Sequence, residues 1–139
     1  MIARAMEALE KYFGYREFRG GQELVIRSLL GGEDTLAIMP TGAGKSVTYQ
    51  IPALLLGGIT IVISPLISLM KDQVDSLLQI GVPATFINSS LSPRETRSRI
   101  QKLQEGVFKL VYLAPERLEA EEFAEMLPVL RFRFVAIDE

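Results

Sequence analysis

The stretch "IMPTGAGKSVTYQIP", Ile38 to Pro52, decides how the rest of the chain reads. It begins apolar, turns through Gly42 and Gly44, and runs on after Lys45-Ser46 as a helix-compatible segment. Strand, glycine-rich turn and helix, in that order, is the setting in which backbone N–H groups converge on a phosphate. The general pattern is glycine, any four residues, then Gly-Lys-Ser or Gly-Lys-Thr. Counting back from Gly44, the place of the first glycine holds Met39. Two readings stand. In one, N–H groups from about Gly42 to Ser46 form an anion nest, Lys45 reaches the β- and γ-phosphates, and the Ser46 hydroxyl ligates Mg²⁺. In the other, this is a solvated turn with Lys45 in water. The strand-to-helix setting favours the first.

On either side of this stretch, helical and extended patterns alternate. "DTLAIM", Asp34 to Met39, predicts a short buried strand, and Lys45 to about Leu55 predicts a helix. Upstream, Ile2, Met6, Leu9 and Phe13 recur at helical spacing, and residues 22–30 predict a second helix that starts after Gly20-Gly21. Downstream, Thr60 to Ser64 is β-branched and extended, and a helix then runs to its close at Gly81. Residues 83–88, 109–114 and 132–139 predict further strands. Ser92-Pro93-Arg94-Glu95 is a capping box with proline at the first helical position, opening a helix to about Gln104. "EAEEFAE", 119–125, predicts a solvated acidic helix face. Strands separated by helical crossovers predict an α/β fold with a three-layer parallel sheet. Ligands of such folds sit at the C-terminal ends of strands. No internal repeat is present, and a chain that ends on a buried strand is expected to be a fragment.

Composition narrows the chemistry. With no Cys and no His among 139 residues, disulfides, thiolate or imidazole metal sites and imidazole acid–base catalysis are excluded. A net charge of −2 gives no bulk field to attract nucleic acid, although a local patch suffices. No apolar run approaches the roughly 20 residues of a membrane span. The first 15 residues lack the apolar core of a secretion signal, so export is not expected. Phe134 to Ile137 are apolar and Asp138-Glu139 come next. A carboxylate at a strand tip beside a phosphate loop suits Mg²⁺, and an adjacent Glu suits deprotonation of an attacking water. The alternative is a polar strand end. Lys45, Ser46, Asp138 and Glu139 together describe a nucleoside triphosphatase that needs neither His nor Cys.

Five segments extend this reading: "YFGYREFRGGQ" (Tyr12 to Gln22), "MPTGAGKSVTYQIPA" (Met39 to Ala53), "VISPLISLMKDQV" (Val62 to Val74), "YLAPERL" (Tyr112 to Leu118) and "VAIDE" (Val135 to Glu139). In this order and at these separations they resemble motifs 0, I, Ia, Ib and the start of II of the RecQ-family DNA helicases. The resemblance covers nearly the whole chain. It implies the first RecA-like motor domain of such an enzyme over residues 1–139, an incomplete P-loop domain with a helical motif 0 segment at 1–32. Methionine at position 39 is then expected, because RecQ-like members often carry it there.

The resemblance also implies roles. Gln22 is similar to the motif 0 glutamine that reads the adenine edge, and an amide's paired donor and acceptor suit that edge. Tyr15 and Arg19 are similar to residues that stack on the base. Phe18 reads better as packing. The nucleotide loop comprises Thr41, Gly42, Ala43, Gly44, Lys45 and Ser46, with ATP and Mg²⁺ as cofactors. Lys45 and Glu139 are the catalytic candidates, and Ser46 and Asp138 the metal ligands. Ser64, Ser68 and Lys71 of the Ia-like segment offer hydroxyls and a cation to DNA phosphates. Without the resemblance, that segment reads as an ordinary strand–helix connection with Lys71 solvated. Arg117 either contacts the strand or pairs with Glu116. Asn88, with Ser89 and Ser90, comes after another strand and is a further phosphate candidate.

For the parent protein the resemblance implies an ATP-dependent DNA helicase moving 3′ to 5′, in DNA repair and recombination. Its partners are single-stranded and duplex DNA and its own second RecA-like domain, with no membrane. Its place is the bacterial cytoplasm and nucleoid, or the nucleus. The chain stops before motif II continues, and it lacks the second domain with its arginine finger. Alone it is expected to hydrolyse ATP poorly and not to unwind duplex. An RNA helicase of the same superfamily, and a nucleotide-binding fragment that does not hydrolyse, are the alternatives.

Overall fold

The computed structural model describes residues 1–40, 44–119 and 121–138, and the chain divides into two compact units, Met1–Gly57 and Gly58–Glu139. Thr41, Gly42, Ala43 and Glu139, which carry four of the expected site roles, lie outside the described residues.

The first unit is helical. Helix α1 spans Ile2–Ala8 and passes into a π-helical turn, Leu9–Phe13, that Gly14 ends at φ 78. Helix α2 spans Gln22–Leu30, and α3 spans Val47–Leu55 with Ser46 as its N-cap residue. Their shared core is Ala5, Ala8, Leu9, Ile26, Val47 and Ile51, with Ile2, Phe13 and Phe18 packed against it. Phe18 is therefore packing, as expected. Met6 is not in the stripe and is 40% exposed. Two alanines take the positions where α1 approaches its neighbours, which an apolar-spacing argument that favours large side chains does not register.

The expected strand at Asp34 to Met39 does not form. These residues join none of the four strands, and Leu36 and Ile38 are 90% and 92% exposed. A strand is defined by its ladder, so a short apolar run with no partner has nothing to fix it as one.

The second unit is a four-stranded sheet in the order β2-β3-β1-β4. The strands are β1 (Ile59–Ile63), β2 (Ala84–Ile87), β3 (Leu110–Leu113) and β4 (Phe132–Ile137), and every pairing is parallel. Parallel neighbours need crossovers, which α4 (Ile67–Gln79) and α5 (Pro93–Gln104) supply. A shorter α6 (Glu121–Met126) precedes β4. Alternate residues divide between two buried faces. Ile59, Ile61, Ile87, Val111 and Leu113 enter one core with Leu103 of α5 and Phe123 and Met126 of α6. Thr60, Val62, Leu110 and Tyr112 are buried on the other. This double burial is the signature of a parallel α/β sheet, and it accounts for the near-continuous apolar character of β1 and β3, where Thr60 is the one hydroxyl of β1. Among the described residues of the acidic segment, Glu119, Glu121 and Glu125 are exposed while Phe123 and Met126 are buried, as expected of a solvated face. No helix among the described residues is long and apolar enough to cross a membrane.

The capping box forms as expected. Glu95 N–H donates to Ser92 Oγ at 3.1 Å, and Ser92 N–H donates to Glu95 Oε1 at 3.1 Å. The hydrogen bonds from Ser92 hold the Glu95 carboxyl below its usual pKa. A carboxyl whose folded pKa lies below its unfolded one stabilises the fold fully above the unfolded value. That contribution is lost as pH falls through the folded value. Ser92→Ala should cost about 1 kcal/mol in urea unfolding at neutral pH. The difference from the parent should shrink on acidification.

Candidate functional site

In the first unit, the expected nucleotide-site residues gather around Gly44. Arg19 N–H donates to Gln22 Oε1 at 3.0 Å, and Gln22 Nε2 donates to the Gly44 carbonyl at 3.1 Å. The Gln22 side chain is thus nearly enclosed, at 4% exposure, against the backbone of the loop. Gly44 adopts φ 73, and a Cβ there would lie 2.4 Å from Gln22 Nε2 and 3.5 Å from Arg19 Nη2. Gly44 is therefore required twice, by its left-handed backbone and by the side chains that crowd it. Gln22, Arg19 and Gly44, separated in sequence, meet here. Tyr15 stands apart with 62% exposure, an aromatic face open to solvent. Lys45 and Ser46 come after Gly44 at intermediate burial, and Thr48 donates its hydroxyl to the Lys45 carbonyl. That bond ties the loop's lysine to the first turn of α3.

In the second unit, expected site residues gather at the C-terminal end of the sheet. Ile87 pairs with Leu113, Leu113 with Ile63, and Ile63 with Ile137. The four strands therefore end level. The next residues, Asn88, Ala114, Ser64 and Asp138, form a row at spacings of about 4.8 Å. Backbone bonds extend the ladder into this row: Ser64 N–H to Leu113 O at 3.1 Å, and Asp138 N–H to Ile63 O at 2.9 Å. Expected ligands from three separate segments thus share one sheet edge.

Within the row the side chains differ. Ser64 Oγ accepts from Leu66 N–H at 3.2 Å, shaping the entry into α4, while Ser68 is exposed. Lys71 is exposed, and its Nζ lies 2.6 Å from Asp75 Oδ2 one turn on, which raises its pKa. Asn88 requires a correction. Its side chain is 1% exposed, Oδ1 accepts from Ser90 N–H at 2.9 Å and Ser90 Oγ–H at 2.6 Å, and Nδ2 donates to Met70 Sδ at 3.5 Å. An amide occupied on both ends and enclosed by protein does not present itself to a strand of nucleic acid. It organises the loop instead, as an Asx turn does, and the Asn-Ser-Ser run after a strand is the signal for that. Arg117 Nη2 donates to the Asn88 carbonyl at 3.3 Å.

The residues suit the expected cofactors. Ser46 and Asp138 are hard oxygen donors, as Mg²⁺ prefers. Among the described residues no group of three or more acidic side chains could cage a metal. Mg²⁺ needs none, since it keeps waters and shares phosphate oxygens.

The profile of the DEAD/DEAH box helicase family matches residues 19–139. The chain is 52% identical over its whole length to the ATP-dependent DNA helicase RecQ of Bacillus subtilis (strain 168), covering 24% of that protein. It is 50% identical over 97% of its length to the ATP-dependent DNA helicase RecQ of Pasteurella multocida (strain Pm70), covering 21% of it. The ATP-dependent helicase wrn-1 of Caenorhabditis elegans matches at 39% identity over 97% of the chain and 13% of its own length. The chain thus spans about a quarter or less of these relatives. Among solved structures, a hypothetical ATP-dependent RNA helicase from Sulfolobus tokodaii shares the fold with TM-score 0.75 at 22% identity, over 100% of this chain and 41% of that one.

Proposed function

The chain belongs to the DEAD/DEAH box helicase family, and from that premise we propose that it is the nucleotide-binding part of a RecQ-like DNA helicase that moves 3′ to 5′ at the expense of ATP. The observation that carries this reading is the level row of strand ends, which sets Asp138 in line with Ser64 and the Asn88 loop. A metal-binding carboxylate and a backbone track on one sheet edge can be coupled through the strands between them.

Lys45 binds the β- and γ-phosphate oxygens and holds positive charge where negative charge gathers during transfer. Gln22 reads the adenine edge by giving up its bonds to Arg19 N–H and the Gly44 carbonyl, and Tyr15 and Arg19 stack on the base. Because Gln22 is bonded to Gly44, recognition of the base is linked to the loop that holds the phosphates. Glu139 accepts a proton from the attacking water. Mg²⁺, held by Ser46 and Asp138, would neutralise charge on the phosphates. Thr41, Gly42 and Ala43 contribute to phosphate binding. Ser64, Ser68, Lys71 and Arg117 hold the backbone of single-stranded DNA. A second RecA-like domain supplies the arginine finger and completes the track, so the 139 residues alone hydrolyse ATP weakly.

The test compares ATP hydrolysis by the full-length protein with saturating oligo-dT and with oligo-rU of equal length. Stimulation by DNA should exceed that by RNA about tenfold or more, since 2′-hydroxyls mark an RNA track. Equal or greater stimulation by RNA would replace this reading with RNA remodelling. Failure to bind a non-hydrolysable ATP analogue would leave a docking module.

A further inference from the structure

β2 is the outermost strand on its side of the four-stranded sheet, so one side of its backbone has no strand partner there. Lys109 N–H donates to Pro83 O at 2.8 Å and Ala114 N–H to Ile87 O at 3.5 Å, so these carbonyls face β3. Carbonyls alternate in direction along a parallel strand, so those of Ala84 and Phe86 face outward. Arg99, half-buried on α5, reaches that side. Its Nη1 donates to Phe86 O at 2.8 Å and to Thr85 Oγ1 at 3.3 Å, and its guanidinium carbon lies 4.5 Å from the centre of the Phe86 ring. Side chains of adjacent strand residues point to opposite faces. Thr85 shares its face with Ile87, which enters the core with Leu103 of α5, and Phe86 points to the other. A group that touches the Thr85 hydroxyl, the Phe86 carbonyl and the Phe86 ring therefore straddles the edge of the sheet.

We infer that Arg99 closes the outer edge of β2 against strand addition by a second copy of this chain. An open edge offers unpaired N–H and C=O groups to any extended segment. The same edge on a second copy is self-complementary to it. A two-fold axis sets β2 antiparallel to β2, and the outward groups of Ala84 and Phe86 then meet groups of the opposite kind. Arg99 opposes this pairing in three ways. Its hydrogen bond occupies the Phe86 carbonyl. Its side chain fills the lane in which an added strand would lie, about 4.8 Å from β2. Its charge would be brought against the same charge of the other copy, with little water between them. The Phe86 ring keeps the guanidinium in place, since a planar cation is attracted to an aromatic face. A charge set on an edge strand is a general means of keeping a sheet finite. The device uses neither ATP nor DNA, so it stands or falls apart from the proposed function.

The experiment measures the mass of the full-length protein by light scattering over a concentration series, together with amide hydrogen exchange in residues 82–88. It compares the parent with Arg99→Ala, Arg99→Met, Arg99→Lys and Arg97→Ala. Arg97 is exposed on the same helix, and its loss changes the net charge equally. In the parent, exchange at Ala84 and Phe86 should be the same at every concentration. Arg99→Ala and Arg99→Met should move reversibly towards twice the parent's mass as concentration passes about 100 μM, a weak pairing. Exchange at Ala84 and Phe86 should slow as they do so. Arg99→Met keeps an apolar stem on the Phe86 ring, so it carries the test if Arg99→Ala does not fold. Arg99→Lys retains a cation and a donor at the edge, and it should behave as the parent does, as should Arg97→Ala. If the folded Arg99 variants without the charge keep the parent's mass, the edge needs no guard and the inference fails. Association without slowed exchange in β2 places the contact elsewhere and overturns it. Equal association of Arg97→Ala makes net charge the cause and overturns it too. A parent whose β2 amides are already protected as concentration rises has an open edge, and the inference fails again.

Discussion

Lys45→Ala should reduce DNA-stimulated ATP hydrolysis by the full-length protein about 10²–10³-fold, the scale of removing one preorganised charge from a reacting centre. Lys45 stands one residue after Gly44, and its backbone carbonyl accepts from the Thr48 hydroxyl in the first turn of α3. Phosphate release with saturating oligo-dT is the readout. Oligo-dT affinity without nucleotide should stay within about twofold of the parent, because a neutral side chain there touches no strand contact. Equal stimulated rates in parent and variant would remove Lys45 from the catalytic assignment.

Gly44→Ala should weaken nucleotide binding by about 2 kcal/mol, roughly 30-fold. Two separate costs add. An L-residue at φ 73 carries about 1–2 kcal/mol of backbone strain. The new methyl also stands 2.4 Å from Gln22 Nε2, which must withdraw and release the Gly44 carbonyl. Calorimetry with a non-hydrolysable ATP analogue measures the sum. Urea unfolding without nucleotide separates them: Gln22→Ala in the same background clears the clash and leaves the strain, so the double variant should recover only part of the lost stability. A Gly44→Ala protein that binds like the parent would show that the loop reaches its ligand through another conformation.

The sequence speaks clearly wherever a local rule suffices. Ser92 to Glu95 contain every group of the capping box, and α2 begins and ends where its apolar period and flanking glycines place it. β1 and β3 are legible as β-branched and apolar runs, because strands buried on both faces carry no alternating polar side. Legibility fails where the outcome depends on a distant partner. Asp34 to Met39 has the apolar character of a strand, but strand pairing is a property of two segments. Asn88 has the look of a surface polar residue after a strand. Its burial depends on Met70 from α4 and on the loop beyond it, and Met70 lies outside any short window around position 88. Gln22 stands out through a resemblance, and the bond to Gly44 adds the physical reason that motif 0 and the loop belong together.

The order of the strands bears on how this molecule is made. β1 is flanked by β3 and β4, both of which leave the ribosome after it, so the centre of the sheet waits for its own neighbours. At roughly 5–20 residues per second, several seconds separate synthesis of β1 from arrival of β4. Throughout that interval one backbone edge of β1 is open to other chains. Asp138 arrives at the tip of β4. The carboxylate proposed to hold the metal therefore reaches the sheet edge after Ser64 and Asn88, and a nascent chain cannot begin hydrolysing ATP while its sheet is still unfinished.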